Sequence, residues 1–212
     1  MIDYAAFIRQ HTELLTVALV PEVRLHLAHE AIPIWQKTEE ELGQLGLPPP
    51  FWAFAWAGGQ ALARHILDHP EILRGKSVLD LASGSGLVGI SAMKANAVSA
   101  LCADIDAFAQ AAAAINAVAN QVEISFTTND MLSGPPPIVD VILVGDLFYE
   151  KALAARCMAF LQRSSALILI GDPGRSYLPQ EKLQQVATYS VPVSRELEDS
   201  EIKKTSVWQL RQ

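Results

Sequence analysis

Three observations in the sequence predict an α/β fold, a mostly parallel sheet with helices on both faces. Strand-like apolar runs alternate with helix-like runs between residues 77 and 170. One strand-like run, Val78-Leu79-Asp80-Leu81, leads through the glycine-rich turn Ala82-Ser83-Gly84-Ser85-Gly86 into a helix start at Leu87. The tail, residues 189–195 and 205–210, alternates in polarity around an acidic turn and reads as an antiparallel hairpin. Alternating strand and helix requires parallel strands joined by crossover helices. A closing hairpin in place of a last strand–helix–strand unit adds one antiparallel strand at that edge.

The elements follow in order. Tyr4, Phe7, Ile8, Leu14 and Leu15 have roughly helical spacing. Pro21 can open a second helix, with Val23, Leu25 and Leu27 following. A third helical run, 35–45, carries Glu39-Glu40-Glu41 as a solvated face. Pro48-Pro49-Pro50 then forms a stiff extended connector. It divides a helical N-terminal extension, 1–50, from a main domain, 51–212. In that domain an aromatic segment, 51–60, runs into a helix that Pro70 closes near His69. Strands are expected at 77–81, 99–103, 122–126, 139–144 and 166–170, and helices at 87–95, 107–120, 150–162 and 178–186. Residues 127–137 read as a loop.

Composition sets limits. The chain has 212 residues, 50% hydrophobic and 18% charged, enough apolar material for a sizeable core and too much for disorder. Its net charge of −7 argues against a general nucleic-acid binder, which shows a basic face. Cys102 and Cys157 lie in apolar stretches and read as reduced, buried thiols of a cytoplasmic protein. No signal or transit segment opens the chain, and no apolar run reaches the roughly 18 residues that span a bilayer.

The chemistry is expected at the carboxyl ends of the strands, near the switch in strand order. Asp80 stands four residues before Gly84 in Gly84-x-Gly86-x-x-Gly89. A carboxylate there repels a diphosphate and suits a bound ammonium. S-adenosylmethionine, a nucleoside carrying an amino acid, meets that demand. Asp104 lies 20 residues beyond Gly84, the spacing at which an acid receives ribose hydroxyls. Asp106 caps the helix that starts near Ala107 or shapes the adenosine side. Asp130 can accept from an adenine amino group while Met131 covers the ring; the alternative is a polar turn. Asp146 and Tyr149 follow the fourth strand, where a transferable methyl should point. The plainer alternative makes Asp146 the cap of the helix starting at Glu150.

The Asp80 to Gly89 pattern resembles motif I of the class I methyltransferases. A closer likeness rests on Phe51-Trp52-Ala53-Phe54-Ala55-Trp56-Ala57-Gly58-Gly59-Gln60, Gly145-Asp146-Leu147-Phe148-Tyr149 and Gly171-Asp172-Pro173-Gly174-Arg175. Together with Pro21-Glu22-Val23-Arg24-Leu25, these resemble the lysine methyltransferases of the electron-transfer flavoprotein β subunit. That family is related to the ribosomal protein L11 methyltransferases. The resemblance implies a Rossmann-like, mostly parallel seven-stranded sheet and a protein-lysine N-methyltransferase using S-adenosylmethionine, with S-adenosylhomocysteine as product. It implies Asp146 and Tyr149 as catalytic residues. Trp56, Asp80, Ala82, Gly84, Ser85, Gly86, Asp104, Ile105, Asp130 and Met131 are the implied cofactor contacts. The implied partner is the flavoprotein β subunit, with no nucleic acid and no membrane.

Other readings stay open. A ribosomal-protein or small-molecule N-methyltransferase would share the fold. So would a non-catalytic binding module, although the acids at the strand ends argue against it. Arg175 could meet a substrate carboxylate, close over the site, or lie in a surface turn. His65 with His69, and His26 with His29, lack a third ligand at a recognisable spacing, so no metal is expected.

Overall fold

The computed structural model describes residues 3–28, 49–193 and 201–211. The chain opens with α1 (Tyr4–His11), whose first turn is capped by the Asp3 carboxylate accepting from the Ala6 N–H at 3.0 Å. An antiparallel hairpin follows, β1 (Glu13–Val17) and β2 (Val20–Leu27). The helix expected after Pro21 is therefore a strand. Val23, Leu25 and Leu27 recur with a period of two, which puts them on one face of a strand and scatters them around a helix. Leu14 and Leu15 belong to β1, because α1 ends before them. The third expected helix, 35–45, and Pro48 lie outside the described residues.

The main sheet has seven strands: β3 (Ser77–Leu81), β4 (Ser99–Ala103), β5 (Ser125–Thr127), β6 (Val141–Gly145), β7 (Leu167–Asp172), β8 (Leu183–Pro192) and β9 (Ile202–Leu210). Their order is β5-β4-β3-β6-β7-β9-β8. The strands from β3 to β7 pair parallel, and β9 pairs antiparallel to both β7 and β8. The class I methyltransferase arrangement that the sequence predicts is present, including its terminal hairpin. One expected helix, 178–186, is instead a single turn (Gln180–Lys182) followed by β8. Thr188, Tyr189 and Val191 favour a pleated strand, and pairing along β9 outweighs the weak helical spacing before them.

Four further helices are α2 (Ala57–Asp68), α3 (Leu87–Lys94), α4 (Ala107–Ala119) and α5 (Lys151–Leu161). Alternate sheet residues face opposite layers. Leu79, Ile142, Val144 and Ile168 pack against Cys157, Phe160 and Leu161 of α5. Val78, Val141, Leu143 and Leu169 pack against Ala61, Leu62 and Ile66 of α2 and Val88 and Ala92 of α3. Strand order reverses between β3 and β6, so a crevice opens beyond their carboxyl ends.

The N-terminal hairpin is fastened to α4 by two asparagines. Asn116 accepts from the His26 N–H at 2.7 Å and donates to the Ser85 carbonyl at 2.9 Å. Asn120 accepts from the Arg24 N–H at 3.0 Å and donates to the Arg24 carbonyl at 2.6 Å. Side-chain amides thus take the place of a neighbouring strand along β2, satisfying backbone groups that an edge would leave open.

Candidate active site

A cleft of about 470 Å³ lies at the switch point, walled by the ends of β3, β4 and β6. Of the twelve residues singled out from sequence, all but Gly86 line it. Gly86 instead sits below the wall as the N-cap of α3, with φ +80°. A Cβ there would come within 2.8 Å of the Ala113 Cβ, so its requirement is packing and turn geometry.

The acids are held by backbone N–H groups. Asp80 is buried and accepts from the Gly89 N–H at 2.8 Å in the first turn of α3. A side chain at Gly89 would strike Cys102 Sγ, which explains the third glycine of the motif. Burial pushes the Asp80 carboxyl up to about 7; the Gly89 N–H lowers it and the Asp104 charge raises it further. Asp104 accepts from the Gly84 N–H at 2.9 Å and from the Asp106 N–H at 3.0 Å. Burial raises it as well, against the pull of those two N–H groups. Asp106 caps α4 through the Phe108 N–H at 2.8 Å, and burial lifts it to about 6.

Asp130 lines the cleft and also forms the polar turn that the sequence offers as its alternative role. It starts the turn Met131–Ser133 by accepting from the Leu132 N–H at 3.1 Å, and it pairs with Arg156 at 2.5 Å and the Ser133 hydroxyl at 2.7 Å. These partners hold its carboxyl below the usual range. Met131 and Ile105 also line the cleft, Ile105 being largely exposed.

Asp146 occupies the left-handed region at φ +56°, a conformation that costs most non-glycine residues about 1–3 kcal/mol. It is fixed there from three sides. Its N–H donates to the Gly171 carbonyl at 3.0 Å. Its Oδ2 accepts from the Gly58 N–H. Its Oδ1 accepts from Arg175, with Nε at 2.9 Å and Nη2 at 2.8 Å. Burial pushes its carboxyl up to about 6; Arg175 opposes that rise and Asp172 adds to it.

Asp146 is therefore a helix cap, but of α2. Trp56, the residue before α2, offers no side-chain cap, and a carboxylate 88 residues beyond Gly58 supplies it. The helix that follows Asp146 has its own cap, Glu150, accepting from Ala152 and Leu153 N–H at 2.8 and 3.0 Å. Close approach of α2 to the sheet depends on glycines. A Cβ on Gly58 would strike the Gly171 carbonyl, and one on Gly145 would lie 3.1 Å from the Gly59 Cα. The sequence motifs around 58, 145 and 171 thus meet at one point.

Beside Asp146 stands an aromatic group. Tyr149 is 46% exposed and sits 5.7 Å from Phe51, which is 5.9 Å from Trp56. The Arg175 guanidinium lies 5.9 Å from the Trp56 ring centre. Arg175 is thus in the site. Its turn is built by Asp172, which accepts from the Gly174 and Arg175 N–H groups at 2.7 Å each. Phe51, Arg156 and Arg175 also line the cleft, and spacing alone gave no signal for their contacts.

This set of acceptors fits a cation bearing hydroxyl groups. Buried acids crowd one side, and Asp80 lies deepest. A dinucleotide diphosphate would meet that carboxylate where it needs N–H donors.

Residues 55–159 match the methyltransferase small domain family. The chain is 36% identical to the electron transfer flavoprotein beta subunit lysine methyltransferase of Xenopus laevis, over 96% of this chain and 85% of that protein. The Homo sapiens protein of the same name is 33% identical over 97% of this chain and 81% of its own length. The chain belongs to this lysine methyltransferase family. Its fold also matches the crystal structure of ribosomal protein L11 methylase from Lactobacillus delbrueckii subsp. bulgaricus, with TM-score 0.55, 18% identity, and coverage of 75% of this chain and 81% of that one. Among the described residues no helix is long and apolar enough to cross a membrane, and no group of three or more His, Cys, Asp or Glu could hold a metal ion. His65 contacts the Tyr189 hydroxyl at 3.2 Å and His69 contacts Glu71 at 3.3 Å. His26 lies in β2 and not on a helix. His29 is outside the described residues.

Proposed function

We propose that this chain methylates lysine side chains of the electron-transfer flavoprotein β subunit, in the cytoplasm, without nucleic acid as a partner. The observation that carries this reading is Asp146, a buried acceptor at an open mouth beside the half-exposed Tyr149. A long side chain from another protein can reach that point. Membership in the family adds the substrate named for the relatives. Residues 51–212 form the catalytic domain in this reading, and the N-terminal extension braces it through α4.

When bound, S-adenosylmethionine supplies an electrophilic methyl group on a sulfonium and leaves as S-adenosylhomocysteine. The chain's own residues bind and aim. Asp80 would hold the amino-acid ammonium and Asp104 the ribose hydroxyls, as charge-assisted contacts. Gly84 and Ser85 let the backbone approach, and Ala82, Trp56, Ile105 and Met131 supply apolar walls. A free lysine has a pKa of about 10.4 and is almost wholly ammonium near pH 7. A positive cofactor and Arg175 both disfavour that charge, so the amine sheds its proton to water on entry. Asp146 then accepts a hydrogen bond from the neutral amine and holds its lone pair in line. Tyr149 and Phe51 guide the side chain.

The test is incubation of purified enzyme, S-adenosylmethionine and purified flavoprotein, followed by mass spectrometry of the β subunit. Mass increments of about 14 Da on lysine support the reading. An unmodified β subunit with active cofactor binding refutes it.

A further inference from the structure

Arg175 enters the reaction outlined above only through its charge, and its contacts fix more than that. It comes from the turn after β7, and Asp172 fixes that turn by bonding two successive backbone N–H groups. Both Nε and Nη2 of its guanidinium converge on a single oxygen, Oδ1 of Asp146. The other oxygen is taken by the Gly58 N–H at the start of α2. Asp146 is 8% exposed, and its backbone is held at positive φ.

We propose that Arg175 is a positioning residue for methyl transfer: its two-pronged contact holds the Asp146 carboxylate ionised and aimed at the mouth where the lysine enters. This rests on the lysine methyltransferase reading above. The physical case is one of opposing influences. Burial and the Asp172 charge push Asp146 toward its neutral form. The neutral acid carries a proton on one oxygen, and that proton would face either the Gly58 N–H or the guanidinium. A donor would then oppose a donor, and the carboxyl would turn. Arg175 is the cation that holds the balance on the charged side. α2 contributes a backbone N–H, the end of β7 contributes the opposing acid, and the turn after it contributes the cation. The same guanidinium lies beside the Trp56 ring, so its position is fixed at the cleft edge. Its charge also offsets that of Asp146. The paired carboxylate can orient an amine without strongly stabilising it as ammonium.

The experiment compares wild type, Arg175→Gln and Arg175→Lys in the full chain. Carbon-13 labelled aspartate reports the Asp146 carboxyl titration by NMR, with Asp146→Asn assigning the signal. The wild-type midpoint is expected at about 6. Arg175→Gln should raise it by about one unit or more, the size expected for losing an adjacent opposite charge. Arg175→Lys should give a smaller rise, because an ammonium keeps the charge without the fork. In parallel, the acid limb of kcat against pH should move up with the carboxyl midpoint. At pH well above that midpoint the Gln variant should regain activity to within about tenfold of wild type. A purely structural role predicts equal loss at every pH. Unchanged carboxyl midpoints, or a pH-independent loss of rate, overturn the proposal. If Arg175→Gln does not fold, the Lys variant carries the same test. If wild type leaves the flavoprotein unmethylated, the function reading fails, while the carbon titration still decides the role of Arg175.

Discussion

Replacing Asp146 with Asn separates chemistry from stability. The carboxylate accepts from Arg175 on one oxygen and from the Gly58 N–H on the other. An amide has one acceptor and one donor. Whichever way it turns, its NH2 group faces a donor, and a hydrogen bond to a charged group is lost. The lost contact costs about 1.5–3 kcal/mol, and a buried N–H without a partner costs about 1–3 kcal/mol. An opposite effect is nearly as large. The Asp146 carboxyl is raised from 3.8 to about 6. That difference corresponds to roughly 3 kcal/mol by which its ionisation disfavours the folded state above pH 6. Asn removes this burden. The sign follows from the raised value: the stability is fully present below the unfolded pKa and is lost as pH rises through about 6. At pH 8 the two effects partly cancel, and Tm should fall by no more than about 10 °C. Toward pH 5 wild type gains on the variant. The transfer rate should fall on the order of 10²-fold, as for loss of one preorganised electrostatic contact. Cofactor affinity should change by less than about threefold. The assay is methylation of the flavoprotein β subunit, with calorimetric cofactor binding and thermal melts on the same samples. Full activity, or a Tm loss above about 10 °C with cofactor binding lost in parallel, refutes the argument.

Three further outcomes are expected. Burial raises the Asp80 carboxyl to about 7, and a cationic ligand favours its charged form, so S-adenosylmethionine affinity should be full above that pH. It should fall up to about tenfold per unit below pH 7; calorimetry showing equal affinity at pH 5.5 and 8 would contradict it. Gly58→Ala places a Cβ against the Gly171 carbonyl and 2.6 Å from Asp146 Oδ2. It should cost about 1–3 kcal/mol in denaturant unfolding and reduce transfer more than cofactor binding; an unchanged midpoint would show that α2 yields freely. Asn116→Ala strips partners from the His26 N–H and the Ser85 carbonyl. Each is worth about 1–3 kcal/mol when left unpaired, so a melt should show Tm lower by at least about 4 °C; no shift would mean that water replaces the amide.

What was legible in the sequence was local. β3 announces itself by an apolar run ending in acid and glycine, because strand, turn and helix N-terminus adjoin in the chain. Asp104 and Asp106 were placed by the same reasoning, and Asp106 does cap α4. β2 was also written in the chain, in the two-residue period of Val23, Leu25 and Leu27. Pro21 is also compatible with a helix start, but an edge position tolerates proline in a strand. Distant partnerships left no such trace. Nothing near Asp146 in sequence says that it caps α2, and nothing near Asn116 says that it bonds β2. Arg175 and Asp146 are 29 residues apart, and only the pairing of Gly145 with Gly171 in adjacent strands brings their turns together.

The charge balance of the site follows from that convergence. Asp80, Asp104, Asp106 and Asp146 all sit above their ordinary range, each chiefly through burial. Backbone N–H groups from Gly89, Gly84, Phe108 and Gly58 stabilise them without supplying positive charge. Arg156, the other guanidinium at the cleft, is committed to Asp130. Burial thus leaves these carboxyls above their ordinary range despite the N–H groups and, at Asp146, Arg175, so a cation entering the cleft favours their charged forms. A ligand with an ammonium and a sulfonium strengthens every one of these acids at once. The lysine amine, arriving next, meets a site already more positive. Ammonium is then the disfavoured form, and the free amine, the form able to accept a methyl group, is the one that Asp146 and Arg175 are arranged to hold.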